Sequence, residues 1–597
     1  MSAALHYVKI EYMIERNCNF SQAENQARTE IAAVLQAVLA DKFDQSLIEI
    51  TYPPDSKLGD YSVAFFALAK KLKKPPVELV SFLTSKIQPA GLIKKVAPAG
   101  PYLNFFIDRP SFNQLVLREI FKAKDRYGSS KIGRNKKVMV EYFSPNTNKP
   151  LTIGHLRNIC LGWSVSRLLK FIGYKVIEST LYNDRGIAIA KAIVGYQKWG
   201  ENKTPKDLKM KPDHFVGSFY VKFCQAAKDN PELEKEAQKV LRAWEQGEKS
   251  IKETWQKLMG WVLAGFDQTL TKIGAIDFEE RYYESEYYQH GKEVVEHGLK
   301  KGIFIKDSEG VVIAPLEKYG LADKILLRPD DTSLYITQDL HLAYLKDRHK
   351  LDESIYVVGD EQDLYLKQLF KILELLGFKN IDHYYHLSYG MIRLPDGKIK
   401  SREGLIQGTG ADELVANLEE LAAAEIKTRF PELAKKEVVS RAESIALAAL
   451  KFYILAVGPK NTMVFDPKQS LAFNGKTGPY LQYVHARICS IFDKEKIKLT
   501  SRVDFSVLDN DLEFNLTKLL ARFPEVICRS AQNHDPSVLA NYLYELAKLF
   551  SLFYEQLPIL KAEDKRIKKA RLVLISEIRI VLAQGLYLLG ISAPEKM

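Results

Sequence analysis

Cysteine is scarce in this sequence, and long apolar runs are missing. The 597 residues contain five cysteines, spread over the whole length, with no C-x-x-C pair and no Cys/His group at the spacing of zinc ligands. Neither a disulfide framework nor a structural zinc site is expected. A membrane span needs about 18 consecutive apolar residues, and the nearest approach, residues 445–457, is interrupted by Lys451. We therefore expect no bound metal held by the chain alone and no membrane partner.

The N-terminal 20 residues also lack a targeting signal. Acidic residues interrupt their apolar positions, which argues against a secretory signal peptide and against an Arg-rich, acid-poor transit peptide. Because structural disulfides are rare in reducing compartments, the scattered cysteines fit the cytosol. We expect a cytoplasmic protein.

The composition is that of an ordinary globular protein. Hydrophobic residues make up 46% and charged residues 27% of the chain, which excludes collagen-like and disordered classes. At roughly 100–200 residues per domain, the length corresponds to about three to five domains. The balance of Lys and Arg against Asp and Glu is 86 − 74 = +12. This excess is compatible with a polyanionic partner, although many proteins of this charge bind no nucleic acid.

The first part of the chain, residues 1–128, has the pattern of a small α+β domain. A helical pattern at 21–40 begins with Ser21 as a candidate N-cap and Glu24 three residues later. A turn-rich stretch, a second helical segment and a strand-like run at 100–108 follow. We expect an independent N-terminal domain here.

The remaining chain divides into an α/β part and an all-α part. Residues 129–410 alternate short apolar strands with helical segments, which is the order of βα units in a parallel sheet. This order predicts a doubly wound, Rossmann-type domain that binds ligands at the carboxyl ends of its strands. A lysine-rich helical insertion is expected at about 190–275. Residues 411–597 have helical periodicity almost throughout, and we expect a helical bundle there.

The first motif that could form a binding or catalytic site is SPNTNKPLTIGHLR at 144–157. It lies where a strand meets a helix. A helix N-terminus offers free N–H donors and the positive end of a dipole, and can therefore bind an anion. Gly154 allows a flat ring or a phosphate to approach the backbone, His155 supplies a hydrogen-bond donor, and Lys149 supplies a positive charge. The alternative interpretation is a loop in which Pro150 ends one element before the next helix begins.

A second motif, GKIKSREG at 397–404, follows a strand candidate. Lysine, arginine and hydroxyl groups between two glycines suit the charge that develops on a leaving pyrophosphate. The side chains concerned are Lys398, Lys400, Ser401 and Arg402. Taken alone, such a loop is equally typical of a solvated hairpin.

Together the two motifs resemble the paired HIGH-type and KMSKS-type signatures of class I aminoacyl-tRNA synthetases. Within that class the chain is similar to the arginyl-tRNA synthetases over essentially its whole length. The segments that carry this similarity, in chain order, are VEYFSPNTNKPLTIGHLRN, LYNDRGIAIAKAI, SLYITQDLHLAY, VVGDEQDLYLKQLF, LQYVHARICSI and LLGISAPEKM. The resemblance implies a class I Rossmann-type catalytic domain between an N-terminal α+β domain that contacts the tRNA elbow and a C-terminal all-α bundle that binds the anticodon arm.

The resemblance implies a ligase with a two-step reaction. ATP activates L-arginine to arginyl-adenylate with release of pyrophosphate, and the arginyl group is then transferred to the 3′ end of tRNA(Arg). The ATP site is expected to comprise Thr152, Gly154, His155 and Lys398, and the catalytic groups are expected to be Lys149, His155, Lys398, Lys400, Ser401 and Arg402. Mg²⁺ should accompany ATP, held mainly by the phosphates, and a monomer is the expectation from the family.

Two positions depart from the family signatures. The first His of the HIGH-type motif is Thr152 here, and the second loop lacks the usual second lysine. In arginyl enzymes a lysine upstream of the HIGH-type motif is thought to replace it, and Lys149 occupies that place.

Specificity for arginine requires hydrogen-bond acceptors, because a guanidinium offers five donors in a planar fork. By resemblance, the amino-acid pocket is expected to comprise Glu141, Asn146, Tyr335, Asp339 and Gln362, with Glu284 as a less distinctive member. Asp339 could alternatively cap the helix that follows it.

The surfaces that face tRNA are less distinctive in the sequence. Stacking aromatics and basic side chains are the usual means of holding RNA loops. By resemblance, the expected contacts are Asn104 and Phe105 in the N-terminal domain and Tyr480, Tyr483, His485 and Arg487 in the C-terminal bundle. Aromatic residues at helical spacing are more often core residues.

Several alternatives remain at this stage. A cysteinyl enzyme of the same class would be expected to carry a metal site, and a glutamyl pocket would favour cations over Asp339 and Glu141. A small nucleotidyltransferase with an H-x-G-H signature needs no long helical C-terminal third. A synthetase-like tRNA-binding protein without catalysis is the non-enzymatic alternative, and only Thr152 favours it.

Overall fold

The computed structural model describes residues 19–275, 278–329, 334–393, 395, 410–495, 499–500 and 503–597. No helix within these ranges combines the length and the apolar character that a membrane span requires. The strands are β1 (Ile50–Thr51), β2 (Tyr61–Ala64), β3 (Ile93–Ala99), β4 (Tyr102–Ile107), β5 (Lys137–Glu141), β6 (Lys175–Tyr182), β7 (Glu280–Tyr283), β8 (Ile305–Lys306), β9 (Val312–Ala314), β10 (Lys324–Leu327), β11 (Glu353–Gly359), β12 (Tyr384–Tyr389), β13 (Ile392–Arg393) and β14 (Met463–Val464).

Helices account for most of the described chain. They are α1 (Gln22–Leu39), α2 (Phe66–Leu72), α3 (Pro76–Lys86), α4 (Arg109–Ala123), α5 (Ile153–Phe171), α6 (Ile187–Trp199), α7 (Pro212–Asp229), α8 (Glu232–Glu245), α9 (Lys249–Ile273), α10 (Glu284–Tyr287), α11 (Gly291–Lys300), α12 (Tyr335–Asp347), α13 (Asp363–Leu376), α14 (Ala411–Arg429), α15 (Lys435–Leu455), α16 (Pro467–Ser470), α17 (Gly478–Glu495), α18 (Asp511–Gln532), α19 (Pro536–Gln556) and α20 (Lys565–Leu588).

A five-stranded parallel sheet forms the centre of the catalytic domain, in the order β12-β11-β5-β6-β7. Strand β5 is apolar at three consecutive positions, Val138 to Val140, and all three are buried. Such a run is typical of a parallel strand covered on both faces. The predicted Rossmann-type sheet is confirmed.

The strand order of this sheet indicates where a ligand is expected to bind. Strand β5 pairs with β6 on one side, after the crossover helix α5, and with the much later β11 on the other. The chain therefore leaves the carboxyl ends of β5 and β11 in opposite directions. Crevices at such a switch point are where open α/β sheets bind ligands.

The N-terminal domain contains a four-stranded antiparallel sheet in the order β1-β2-β4-β3. Helix α1 begins as predicted, because the hydroxyl of Ser21 accepts the backbone N–H of Glu24 at 3.2 Å. The domain packs against the C-terminal bundle: the ammonium of Lys518 lies 2.8 Å from a carboxylate oxygen of Asp60, and the hydroxyl of Tyr127 donates to the carbonyl of Leu520.

The helical insertion and the C-terminal bundle are present as expected, as helices α6 to α9 and α14 to α20. A small antiparallel sheet of β8, β9 and β10 and a two-stranded parallel pairing of β13 with β14 add to the catalytic domain. Their strands have only two to four residues, too few to show a period in the sequence. The domain boundaries at 128/129 and 410/411 stay predictions.

Candidate active site

A cavity of about 710 Å³ opens at the carboxyl ends of β5 and β11. The N-terminal ends of helices α5, α12 and α13 surround it. Of the expected site residues, those that line it are Glu141, Asn146, Thr152, Gly154, His155, Tyr335, Asp339 and Gln362. The structure thus brings together residues that are more than 200 positions apart in the chain.

Thr152 and His155 form the N-terminal end of helix α5. Thr152 is the N-cap, and its backbone N–H donates to Nδ1 of His155 at 3.0 Å. The hydroxyl oxygen of Thr152 lies 2.9 Å from the same nitrogen. Burial, together with the nearby charge of Lys149, lowers the pKa of His155 to about 4. The ring is therefore neutral near pH 7, and with Nδ1 accepting, its proton is on Nε2.

Gly154 faces the cavity, and the protein itself leaves space for a larger residue there. An added Cβ would meet only the hydroxyl oxygen of Thr152, at 3.6 Å, an ordinary contact distance. Its backbone also has no left-handed φ that would demand glycine. What glycine provides here is close access to the helix backbone from the cavity.

Asn158, one turn further along α5, fixes the strand ends beside the cavity. Its side-chain oxygen accepts the backbone N–H of Phe143, and its amide donates to the carbonyl of Val357 on β11 at 2.6 Å. Phe143 has φ = 61°, a left-handed conformation that costs about 1–2 kcal/mol for a non-glycine residue. Asn158 stabilises this strained turn. A single asparagine in a helical pattern gives no sequence signal for that role.

Arg157 ties helix α5 to two later segments. It is fully buried, and its guanidinium donates to the carbonyls of Gly390 and Met391 and to those of Pro459 and Asn461, at 2.7–3.3 Å. Burial lowers its pKa to about 10, so the side chain stays charged near pH 7. Arg157 therefore fixes the chain that precedes the second motif against the helix that carries the first.

The chain that follows the second motif is also attached to α5. The backbone N–H of Ala411 donates to the carbonyl of Leu151 at 2.9 Å, and Gly410 forms an antiparallel bridge with Thr152. The second motif itself, with Lys398, Lys400, Ser401 and Arg402, lies outside the described residues.

Asp339 is a carboxylate that lines the cavity from helix α12. It is the fifth residue of α12, whose N-cap is Leu334, so the alternative capping role of Asp339 is wrong. Its carboxylate accepts the hydroxyl of Tyr365. Burial raises the pKa of Asp339 to about 6, and the negative charge of Glu141 adds to this rise.

Glu141 ends strand β5 and forms an ion pair with Lys346. The ammonium lies 2.6 Å from the Glu141 carboxylate and 4.1 Å from the centre of the Tyr356 ring. Burial alone would lower the pKa of Lys346, but the charge of Glu141 holds it above its usual value. Lys346 is a site residue that sequence reasoning missed, because a lysine near the end of a helix is ordinarily exposed.

The remaining candidates occupy different positions around the cavity. Tyr335 stands at the rim, with 72% of its surface exposed. Glu284 is buried behind the cavity wall, 3.6 Å from the guanidinium of Arg185, and burial raises its pKa to about 7. Lys149 is not among the residues that line the cavity. It lies close enough to His155 for its charge to lower the pKa of the His155 ring. Burial lowers the pKa of Lys149 itself.

The structure corrects the expected tRNA contacts of the N-terminal domain. Phe105 is fully buried in the core, and Asn104 is buried, accepting the hydroxyl of Ser62 at 2.7 Å. A side chain without exposed surface cannot stack on or pair with RNA. The expectation for both residues comes from the resemblance to the family, and in this structure Gly59 packs beside Asn104.

The contacts expected in the C-terminal bundle fall into two groups. His485 is buried, with Nδ1 2.9 Å from the carbonyl of Pro594, and is not available to RNA. The hydroxyl of Tyr480 is held by Ser551. Arg487 and Tyr483 reach the surface, where the guanidinium lies 5.0 Å from the ring of Tyr483.

Tyr554, on helix α19, completes this surface group. Its ring lies 4.6 Å from the guanidinium of Arg487, and it is 38% exposed. Sequence reasoning missed Tyr554, because only the packing of α17 against α19 brings it beside Arg487.

Three family models match the chain along its length. They describe the N-terminal domain of arginyl-tRNA synthetase at residues 25–107, the catalytic domain of class I tRNA synthetases for arginine at 116–466, and the DALR anticodon-binding domain at 481–597. The fold is therefore that of a class I aminoacyl-tRNA synthetase.

Individual relatives narrow the assignment. An arginine–tRNA ligase of Treponema denticola is 42% identical over 585 residues, which cover 95% of this chain and 98% of the relative. An arginine–tRNA ligase of Treponema pallidum is 38% identical over 582 residues, which cover 96% of this chain and 98% of the relative. The arginyl-tRNA synthetase structure of Thermus thermophilus superposes with a TM-score of 0.80 at 26% identity, covering 96% of this chain and all of that one. The chain belongs to the arginyl-tRNA synthetase family, and it is a ligase.

Proposed function

We propose that the cavity at the ends of β5 and β11 activates L-arginine and that the product is arginyl-tRNA(Arg). An oxygen of the arginine carboxylate bonds to the α-phosphorus of ATP. The bond from that phosphorus to the bridging oxygen breaks, and its electron pair leaves with pyrophosphate. The 3′-terminal adenosine of the tRNA then takes the arginyl group, and AMP is released. Such a reaction needs positioning and charge stabilisation more than a covalent enzyme intermediate.

The observation that carries this proposal is the position of Asp339. It presents a partly buried carboxylate to a cavity that the N-terminal end of α5 also lines. A guanidinium pairs with a carboxylate through two parallel hydrogen bonds, and phosphates bind at helix N-termini. The Asp339 carboxylate and the N-terminal end of α5 thus match the two ends of an arginyl-adenylate.

On the nucleotide side, Gly154 would let ATP reach the backbone of α5, and the Nε2–H of His155 would donate to it. Thr152 would orient that ring. The amine of Lys149 would stabilise charge on the phosphates in place of the missing second lysine of the loop. Lys398, Lys400, Ser401 and Arg402 would act on the departing pyrophosphate.

On the amino-acid side, Asp339 would bind the guanidinium, with Tyr335 and Gln362 at the rim. Asn146 and Glu141 lie at the carboxyl end of β5, and Lys346 holds Glu141 in place. Glu284 would add negative charge from behind the wall.

Mg²⁺ would be carried by the phosphates of ATP. Within the described ranges one group of side chains has the spacing of metal ligands, namely Asp213, His214 and Asp412. The ammonium of Lys211 already lies about 3 Å from both carboxylates, so this group is an ion-pair cluster and does not suit a second cation.

Transfer RNA would lie along the bundle, with Tyr483, Arg487 and Tyr554 as a stacking surface. Aromatic rings and a guanidinium plane are suited to unstacked bases. A monomer working in the cytoplasm is part of the same proposal.

ATP–pyrophosphate exchange, measured with each amino acid and with and without tRNA, tests the proposal. Exchange that depends on arginine, and that requires or is stimulated by tRNA, supports it. Exchange driven by another amino acid would point to a different synthetase. No exchange with any amino acid would favour a tRNA-binding protein without catalysis.

A further inference from the structure

Tyr365 lines the same cavity as Asp339 and reaches it from a different helix. It is the third residue of α13, and the ammonium of Lys324 lies 4.9 Å from the centre of its ring. The Tyr365 hydroxyl donates a hydrogen bond to the carboxylate of Asp339 on α12. The reaction described above gives Tyr365 no part.

The hydroxyl of Tyr365 is the one hydrogen-bond donor that the described side chains offer to Asp339. Lys346, on the same helix as Asp339, is already paired with Glu141 at 2.6 Å. A carboxylate has about four lone-pair positions, so one phenol donor leaves room for the two parallel N–H groups of a guanidinium. The hydrogen bond therefore fixes the Asp339 carboxylate without blocking a ligand.

The same hydrogen bond favours the ionised form of Asp339. Burial raises the pKa of Asp339 to about 6, and the hydrogen bond from Tyr365 is the largest effect in the opposite direction. Burial and the charge of Asp339 raise the pKa of Tyr365 well above its usual value. Tyr365 therefore keeps its proton, and remains a neutral donor, throughout the neutral pH range.

Other charged groups also surround Asp339, and none of them depends on the Tyr365 hydroxyl. Glu141 raises the pKa of Asp339 and Lys346 lowers it, whereas no described group of α11 contributes. Burial raises the pKa of Glu284 to about 7. Because Tyr365 is neutral, removing its hydroxyl changes none of these charges. The titratable groups at this site on the other elements packed against α12 are Glu284 and Tyr287 of α10 and Lys324 of β10.

We propose that Tyr365 is a positioning residue for arginine: its hydroxyl fixes the carboxylate of Asp339 at the cavity and keeps that carboxylate ionised near neutral pH. This role rests on the proposed function, in which Asp339 pairs with the guanidinium of arginine. A phenylalanine at position 365 would keep the ring but provide no donor. Asp339 would then take up a proton at higher pH and bind arginine less well near neutrality.

Calorimetric titration of the full-length protein with arginine between pH 5.5 and 8.5 tests this role. In Tyr365→Phe, the pH below which affinity falls should rise by about one to two units, the effect of one hydrogen bond to a charged group. Affinity at pH 7 should fall about 2- to 10-fold, and the loss should shrink to less than about twofold at pH 8.5 when the shift is one unit.

Proton release gives a second readout that a purely structural role would not change. Titrations at pH 7 in two buffers of different ionisation enthalpy count the protons released when arginine binds. Tyr365→Phe should release about 0.4 to 0.8 more protons per arginine than the unchanged protein, because more of its Asp339 is protonated before binding.

Two variants serve as controls. Tyr344→Phe makes the same change elsewhere on α12, where the ring packs against Phe378, and should leave affinity and proton release unaltered. In protein that already carries Asp339→Asn, adding Tyr365→Phe should leave the pH dependence as it is in Asp339→Asn alone. The thermal unfolding transition of each variant shows whether the fold is retained.

A loss of affinity in Tyr365→Phe that is equal at every pH, or no change at all, would overturn the role of Tyr365. A hydroxyl that keeps Asp339 ionised must alter both the pH profile and the proton count. If the unchanged protein bound no arginine, the proposed function itself would fail, and this role with it.

Discussion

The backbone N–H of Thr152 donates to Nδ1 of His155 across 3.0 Å, and the Thr152 hydroxyl lies 2.9 Å from the same nitrogen. The threonine that replaces the first histidine of the signature is therefore the N-cap of α5 and orients the second. This arrangement leaves Nε2–H as the donor for a ligand.

Replacing Thr152 should separate its side-chain role from that of its backbone. Thr152→Ala keeps the backbone N–H but removes the hydroxyl, and loss of an N-cap costs about 0.5–2 kcal/mol. We expect arginine-dependent pyrophosphate exchange to slow by roughly 2- to 30-fold. Thr152→Ser, which restores the hydroxyl, should stay close to the original rate. Equal rates for the alanine and serine variants would show that the hydroxyl has no part in the site.

Lys149 should act on the phosphates and leave arginine binding intact. Its charge is close enough to His155 to lower the pKa of that ring, yet it does not line the cavity. We expect Lys149→Ala to slow single-turnover pyrophosphate formation about 100-fold or more, the size of effect seen when one stabilising group is removed, with the dissociation constant of arginine changed little. Unaltered pyrophosphate formation in this variant would exclude the role.

Asp339 should make arginine binding dependent on pH. Burial raises its pKa to about 6, and only the ionised form pairs with a guanidinium. The dissociation constant of arginine should therefore rise about tenfold per pH unit below pH 6. Glu284, whose pKa burial raises to about 7, should add a weaker dependence between pH 6 and 8. His155, with a pKa of about 4, stays neutral through most of that range. Isothermal titration with arginine between pH 5 and 8 measures the effect.

A matched substitution on the same helix tests the assignment to Asp339. Asp347→Asn, at the exposed end of α12, should leave the slope below pH 6 unchanged, whereas Asp339→Asn should abolish that slope. A slope that persists in Asp339→Asn would assign the titration to another group.

The ion-pair cluster around Lys211 should stabilise the contact between the helical insertion and α14. The Lys211 ammonium lies 2.9 Å from Asp213, which has no exposed surface, and 3.0 Å from Asp412. Lys211→Met leaves Asp213 buried without its cation, and a loss of about 3 kcal/mol is expected. Thermal unfolding should show a clear fall in the transition temperature. Lys235→Met, which removes an exposed pair with Glu232, should have little effect.

Three members of this cluster titrate: burial raises the pKa of Asp213, and the limits of the pH range follow from Asp412 and His214. Burial would raise the pKa of Asp412, but hydrogen bonding from His214 and the charge of Lys211 lower it to about 2. The contribution of Asp412 to the free energy of unfolding is therefore lost as the pH falls below about 4. The hydrogen bond to Asp412 raises the pKa of His214, so that contribution is lost as the pH rises through this raised value. The difference between the Lys211→Met variant and the unchanged protein should be largest between these limits.

Part of the cavity lining could be expected from the sequence. The strand-to-helix motif of Thr152 to His155 is a local pattern, whereas Asp339 could be expected only from the resemblance to the family, and both line the cavity. The pair of Glu141 with Lys346 and the bonds from Arg157 to four carbonyls could not be predicted. They join segments some 200 or more residues apart, and no local period encodes such contacts.

The same reasoning explains the wrong tRNA contacts. Asn104 and Phe105 are neighbours on opposite faces of β4, and both faces are covered there. Alternation in the sequence does not show that a strand is covered on both faces. His485 is two residues from both Tyr483 and Arg487, so it lies on the other side of α17, where the C-terminal segment covers it through Pro594. Tyr483 and the partly exposed Arg487, four residues apart, share the opposite face of α17, and packing brings Tyr554 beside them.

The central claim is that Asp339 selects arginine by its charge in the cavity between β5 and β11. Citrulline has nearly the shape of arginine but a neutral ureido group, and pyrophosphate exchange with the two amino acids measures that selection directly. The unchanged protein should prefer arginine by several orders of magnitude, since a site built to pair a polar group rejects analogues by about 10⁴-fold or more. In Asp339→Asn the preference should fall at least about 100-fold, because loss of one charge-assisted pair is worth about 3 kcal/mol. An unchanged preference for arginine in Asp339→Asn would contradict the account.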